Sequence, residues 1–160
     1  MAKLYEDDKT ISPDPFPPFS SGATEPYIEE TYDSSGNLTA AVMHGQPVIR
    51  SNAFAGVGSL TSVTIGNGVT SIGEWAFCDC SSLTSVTIPN SVTSIGDQVF
   101  GYCSSLESVT FKGTPSSIAF NAFVGCSNLT TINVPWTEGA VADAPWEAKN
   151  ATINYNYTGD

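Results

Sequence analysis

Four cysteines, one histidine and a few paired carboxylates are the only residues with which this 160-residue chain could do chemistry. Cys80, Cys103 and Cys126 recur at a constant interval, and the residue one interval earlier is Val57. A position that accepts valine or cysteine is an apolar slot, so these three are expected as buried, reduced thiols. Disulfides between neighbours at this interval are sterically conceivable, but three equivalent sulfurs leave one unpaired. Cys78 lies outside the register, where the other intervals carry Ala55, Gly101 and Val124, which makes it the one candidate for an exposed, reactive thiol.

Other chemistry fares worse. Cys78-Asp79-Cys80 has the wrong spacing for a zinc knuckle, and the lone His44 is far from it, so no metal is expected. His44 has no evident acid–base partner, and the serines fall at repeat positions rather than in a nucleophile motif. Glu74 and Asp97 are equivalent carboxylates one interval apart, an arrangement more typical of a solvated face than of an acid–base pair. Gly66-Asn67-Gly68 replaces Pro89-Asn90-Ser91 of the next interval and reads as a turn, not a phosphate loop. The expectation is a protein that is not an enzyme and takes no cofactor.

Charge excludes further classes. Five Lys and Arg face sixteen Asp and Glu, a formal charge of −11, which opposes binding to nucleic acid and to anionic membrane surfaces.

The elements that position these residues are repeats of 23. From Ile49 the chain can be written as IRSNAFAGVGSLTSVTIGNGVTS, IGEWAFCDCSSLTSVTIPNSVTS, IGDQVFGYCSSLESVTFKGTPSS and IAFNAFVGCSNLTTINVPW. Apolar residues keep phase throughout: Phe54, Phe77, Phe100 and Phe123; Leu60, Leu83, Leu106 and Leu129; Val63, Val86, Val109 and Ile132; Ile65, Ile88, Phe111 and Val134. Several coincident series at one period specify a solenoid whose coils bury their apolar edges against one another. In each row the Leu-x-x-Val-x-Ile segment, as in Leu83, Val86 and Ile88, predicts a short strand with alternating inward side chains. A second short strand is predicted at 92–95, and residues 75–77 are expected to turn back with Phe77 inside. Stacked about 4.8 Å apart, the main strands would form one parallel sheet along an array about 15–20 Å long. The expected core is Phe77, Cys80, Leu83, Val86, Ile88, Phe100, Cys103, Leu106, Phe123, Cys126 and Leu129.

These rows resemble the BspA-like leucine-rich repeats, whose motif reads much like SLTSVTIPNSVTSIGDQVFGYCSSL, over residues 49–134. The resemblance implies a mainly β solenoid of about four 23-residue coils. It also implies a role in surface display or adhesion, as in bacterial members, or in a virion, as in similar short arrays of tailed bacteriophages of gut bacteria. The segment with Pro135-Trp136, Ala144-Pro145-Trp146 and 151–157 resembles the ending of such phage-borne arrays and suits a cap at 135–160.

Flanking the array, residues 1–33 hold half of the acids and five of the ten prolines. Proline excludes helix there, so this stretch is expected as an extended acidic arm. A solvating tail would fit the composition, whereas Tyr5, Phe16, Phe19 and Tyr27 supply area for docking on a partner. Residues 34–48 are expected to cap the array, with 38–43 as a strand or a turn of helix. The N-terminus lacks the apolar core of a signal peptide, which favours assembly into a virion over classical export.

The main strands face outward with small hydroxyls such as Thr84, Ser85 and Thr87, a chemically plain surface that discourages edge aggregation. The positions that vary between rows are more informative: Ser51/Glu74/Asp97/Phe120, Asn52/Trp75/Gln98/Asn121 and Gly56/Asp79/Tyr102/Gly125. Glu74, Trp75, Asp79, Asp97, Tyr102 and Phe120 are therefore the candidate contact residues for a protein or glycan, with Trp75 and Tyr102 as anchors. Alternatively, Trp75 folds over its coil and Phe120 packs under the C-terminal cap. The reading is a non-enzymatic virion protein, attached to other virion proteins through residues 1–33 and displaying the solenoid toward the host. A bacterial cell-surface or secreted adhesion module is the alternative.

Overall fold

The computed structural model describes residues 26–159. Tyr5, Phe16 and Phe19 of the expected arm lie outside this range. A hairpin opens the fold, with β1 at Tyr27–Tyr32 and β2 at Leu38–His44 in antiparallel register, Tyr27 opposite His44. Its turn is built by Asp33, whose carboxylate accepts hydrogen bonds from the Ser35 and Asn37 amides at 2.8 and 2.9 Å. The Asn37 side-chain amide, donating to the same carboxylate at 3.0 Å, together with these backbone bonds holds the Asp33 carboxyl below the usual carboxylate range. Gly36 takes the left-handed turn conformation at φ 82°. The arm expected over 1–33 is thus corrected at its end: residues 27–32 are a cap strand, and the 38–43 segment is strand rather than helical turn.

The coils then contribute five main strands and four two-residue second strands. The main strands are β4 (Ser62–Thr64), β6 (Ser85–Ile88), β8 (Ser108–Phe111), β10 (Thr131–Asn133) and β11 (Thr152–Asn154). The second strands are β3 (Val48–Ile49), β5 (Ser71–Ile72), β7 (Ser94–Ile95) and β9 (Ser117–Ile118), paired in parallel as a continuous sheet in that order. Register shifts by 23 between the repeated coils, as in Ser85 with Ser108 and Ile72 with Ile95, and by 22 and 21 at the two ends, Ala40 with Ser62 and Thr131 with Thr152. The C-terminal segment closes the array by adding a further coil, since β11 pairs in parallel with β10. The architecture is a β-solenoid of about five turns.

All eleven expected core side chains are buried. Their centre is a column of phenylalanines. Phe54, Phe77, Phe100 and Phe123 stack with centroids 5.2, 5.3 and 5.8 Å apart and interplanar angles of 3–6°. Trp146, fully buried, occupies the next position edge-on to Phe123 and donates its indole N–H to the Ala142 carbonyl at 2.8 Å. The coils approach so closely that a Cβ at Gly96 would lie 2.8 Å from the Glu74 amide nitrogen, which explains a glycine there.

The main sheet does not run the length of the array as expected. It divides into β1-β2-β4 and β6-β8-β10-β11, with no pairing between β4 and β6. Elsewhere the amide before each main strand donates to the previous coil: Thr61 to Thr39 at 2.8 Å, Glu107 to Thr84 at 2.8 Å and Thr130 to Glu107 at 3.1 Å. Among the described residues, the equivalent bond from Thr84 to Thr61 is not made. Val63 is correspondingly only partly buried, whereas Val86, Val109 and Ile132 are fully so. Gly66 draws β4 toward the cap, since a Cβ there would fall 2.3 Å from the Met43 carbonyl oxygen.

Candidate recognition face

The candidate contact residues sit on the turn that precedes each main strand, and its backbone explains their exposure. Amides alternate between bonds within the turn and bonds to the next coil. Trp75, Phe77 and Asp79 donate to the Asp97, Val99 and Gly101 carbonyls at 2.9, 2.8 and 2.8 Å, while Cys78 donates to Trp75 at 3.1 Å. With Phe77 held inward, the residues two before and two after it take left-handed conformations. In coil one these are Asn52 and Gly56, at φ 61° and 76°; in coil two Trp75 and Asp79, at 55° and 58°. In coil three they are Gln98 and Tyr102, at 47° and 58°.

Glycine and asparagine visit this region readily, whereas other residues pay about 1–2 kcal/mol. The array's own inexpensive solutions are therefore Asn52, Gly56 and Gly125, and Trp75, Gln98 and Tyr102 are the costly ones. Strain of this kind concentrates where a side chain is needed for something other than the fold.

Trp75, Tyr102 and Phe120 are 39, 51 and 60% exposed. The exposure of Phe120 overturns the alternative that it packs under the C-terminal cap. The Tyr102 ring lies over Gly125 of the next coil, where a Cβ would come within 2.5 Å of Cδ1. Glu74, Asp79 and Asp97 are exposed on the same turns. Across the four turns, residues 50–58, 73–81, 96–104 and 119–127, the charged residues are these three carboxylates and Arg50 at one end. The sequence missed the left-handed backbone, although the exchange of aromatics with Gly and Asn at two columns carried its signal. Tyr27, assigned to the arm, stacks instead on His44 at 4.4 Å within the hairpin.

The thiols are inert by construction. Cys80, Cys103 and Cys126 donate S–H to the Phe54, Phe77 and Phe100 carbonyls of the preceding coil at 3.3, 3.1 and 2.9 Å. Burial pushes Cys80 and Cys126 up to about 12 and Cys103 upward as well. All four cysteines are free. Cys78 is half-buried, and burial followed by the Asp79 carboxylate raises its thiol too, which corrects the expectation of a reactive group. His44 lies 3.4 Å from the Glu29 carboxylate on the paired strand. Among the described residues, no group of three His, Cys, Asp or Glu side chains is placed to hold a metal ion.

The sequence model of the BspA type leucine-rich repeat region matches residues 30–142, in six copies. The chain belongs to this family. The BspA-type chain is similar to a leucine-rich repeat protein from Bacteroides ovatus, with a TM-score of 0.60 and 29% identity over 78% of this chain and 31% of that one. It therefore spans about a third of that relative. A Treponema pallidum leucine-rich repeat protein shares the fold, with a TM-score of 0.51 and 19% identity over 81% of this chain and 79% of the other. No curated protein matches the chain.

Proposed function

We propose that the protein is a recognition module displayed at a bacterial surface, binding a partner protein or glycan through its turn face. The observation that carries this reading is the pair Trp75 and Tyr102, exposed aromatics held in left-handed backbone at positions where sister coils use Asn52 and Gly125. Aromatic anchors supply large contact area at low entropic cost, and Glu74, Asp79 and Asp97 around them add polar selectivity.

If the aromatics serve binding, stability and binding respond oppositely to their removal. Trp75→Asn combined with Tyr102→Asn is expected to leave the stability unchanged or raise it by up to about 1 kcal/mol, because asparagine tolerates the conformation. Binding of the labelled protein to intact bacterial or epithelial cells is expected to fall about tenfold or more, the loss of two anchors. A variant that binds like the parent, or that loses about 2–3 kcal/mol in urea denaturation, would show the aromatics to be structural.

The reading of a virion protein attached through residues 1–33 has less behind it, since the relatives described above are bacterial. Quantitative mass spectrometry separates the two. Recovery from cell-envelope fractions is the expected result, and stoichiometric recovery from purified phage particles would replace the surface reading with the virion one.

A further inference from the structure

The opening between β4 and β6 is a groove of about 560 Å³ on a different edge of the coil from the aromatic turns. Its floor is apolar, formed by Val63, Ile65, Val86 and Pro89, and its lips carry hydroxyls, amides and Lys112. The volume falls within the range of about 300–1,000 Å³ typical of ligand sites. Both walls are strand edges that pair on their far sides, β4 with β2 and β6 with β8, and remain unpaired toward each other. The groove thus offers main-chain donors and acceptors above an apolar floor, which is what an extended polypeptide satisfies through its own amides and alternate side chains. No aromatic lines it for a sugar ring to stack on.

Charge sets the direction of the occupant. Lys112 directly follows β8, and Asn67 and Asn90 follow β4 and β6, so the cation sits where the strands end. It lies in a chain of net charge −11, and its own backbone amide is already committed to the Ile88 carbonyl. An extended segment running parallel to β6 would bring its own C-terminal end to Lys112.

We propose that the seam between β4 and β6 binds the C-terminal tail of a partner protein, taken up as a strand parallel to β6 with its terminal carboxylate at Lys112. Parts of β4 and β6 approach within 8 Å, whereas a strand lying between them would set them about 9.6 Å apart. The tail therefore pairs with β6 and widens the seam by at least about 2 Å. The stacked Phe54 and Phe77 and the paired β3 and β5 hold the opposite edge as a hinge. This site is independent of Trp75 and Tyr102, and the aromatic double variant should bind the tail normally.

Two measurements on the full chain test the proposal. In native-state hydrogen exchange, the Thr84 amide should exchange about 100-fold faster than those of Thr61, Glu107 and Thr130, which are bonded to the preceding coil. Equal protection would overturn the seam itself. The second uses a labelled peptide GGLTSVTV, which copies the chain's own strand pattern, with a free terminal carboxylate, as the terminal amide, and scrambled. The free acid should bind saturably and slow Thr84 exchange. The amide should bind about threefold to fivefold more weakly, and Lys112→Gln should remove the difference between acid and amide. No saturable binding up to about 1 mM, equal binding of the scrambled peptide, or an acid-to-amide ratio untouched by Lys112→Gln would each overturn the proposal. Self-association that protects Thr84 without peptide would assign the seam to a second copy instead of a partner's tail.

Discussion

Replacing Phe100 with alanine is expected to lower the unfolding free energy by about 3–5 kcal/mol, the cost of emptying a large buried aromatic site. Phe100 is fully buried, with Phe77 stacked 5.3 Å on one side and Phe123 5.8 Å on the other. The site has little capacity to collapse, because the backbone of each turn is bonded to the next coil at fixed spacing, as in the Phe77 amide to the Val99 carbonyl and the Phe100 amide to the Ala122 carbonyl. A domain of this size holds only about 5–15 kcal/mol in total. In a solenoid no coil is stable alone, so a void in the middle weakens the support for both halves. Urea denaturation monitored by circular dichroism checks this, with Phe100→Leu as a milder control. A loss below about 1 kcal/mol would mean that the phenylalanine column is not the spine of the array.

The second large effect is alkaline. Cys80 and Cys126 keep their protons to about pH 12 when folded, with Cys103 shifted the same way, against an ordinary thiol value of 9.0. Above that ordinary value the unfolded chain ionises these thiols while the folded chain does not. The unfolded state then binds fewer protons, so the unfolding free energy falls as pH rises. The stabilisation is complete below about pH 9 and is lost progressively toward pH 12, by about 1.4 kcal/mol per pH unit for each thiol. A variant with valine at all three positions, the residue that coil one carries as Val57, should remove this slope. The Phe54, Phe77 and Phe100 carbonyls would still accept the backbone amides of residues 57, 80 and 103 at 3.1, 3.3 and 3.3 Å, so the substitution leaves no carbonyl unpaired. Equal slopes for the parent and the triple-valine variant between pH 8 and 10 would refute the account.

The period of 23 was enough to read which residues turn inward, because an apolar side chain repeated in phase has one consistent place to go. Val57 in the cysteine column was enough to read the thiols as packing. Three features were not readable. Leu60 to Ile65 and Leu83 to Ile88 have the same sequence, LTSVTI, yet β4 pairs with the cap and β6 with the next coil. The difference arises outside those strands, where Gly66 allows an approach to Met43 that Pro89 has no counterpart for. The strand at Tyr27–Tyr32 was hidden by the acidic, proline-rich composition around it, and only pairing with β2 reveals it. The left-handed turns were concealed because Trp75 and Tyr102 are among the least expected residues in that conformation. What those turns expose was nonetheless visible as variation between otherwise copied rows.

The coils can also be regarded as sites on a one-dimensional lattice, each coupled only to its neighbours. From β6 to β8 and from β8 to β10 the coupling includes a main sheet, a second sheet and stacked rings. Between β4 and β6 the main sheet is missing, and the coupling rests on β3 with β5, on Phe54 with Phe77 and on the turn bonds from the Asn52, Phe54 and Gly56 amides to the Glu74, Ala76 and Cys78 carbonyls. By the same count the hairpin is joined to the first coil by β2 with β4 alone, so the first coil, with a reduced contact on each side, is the stretch most loosely coupled to the rest of the array.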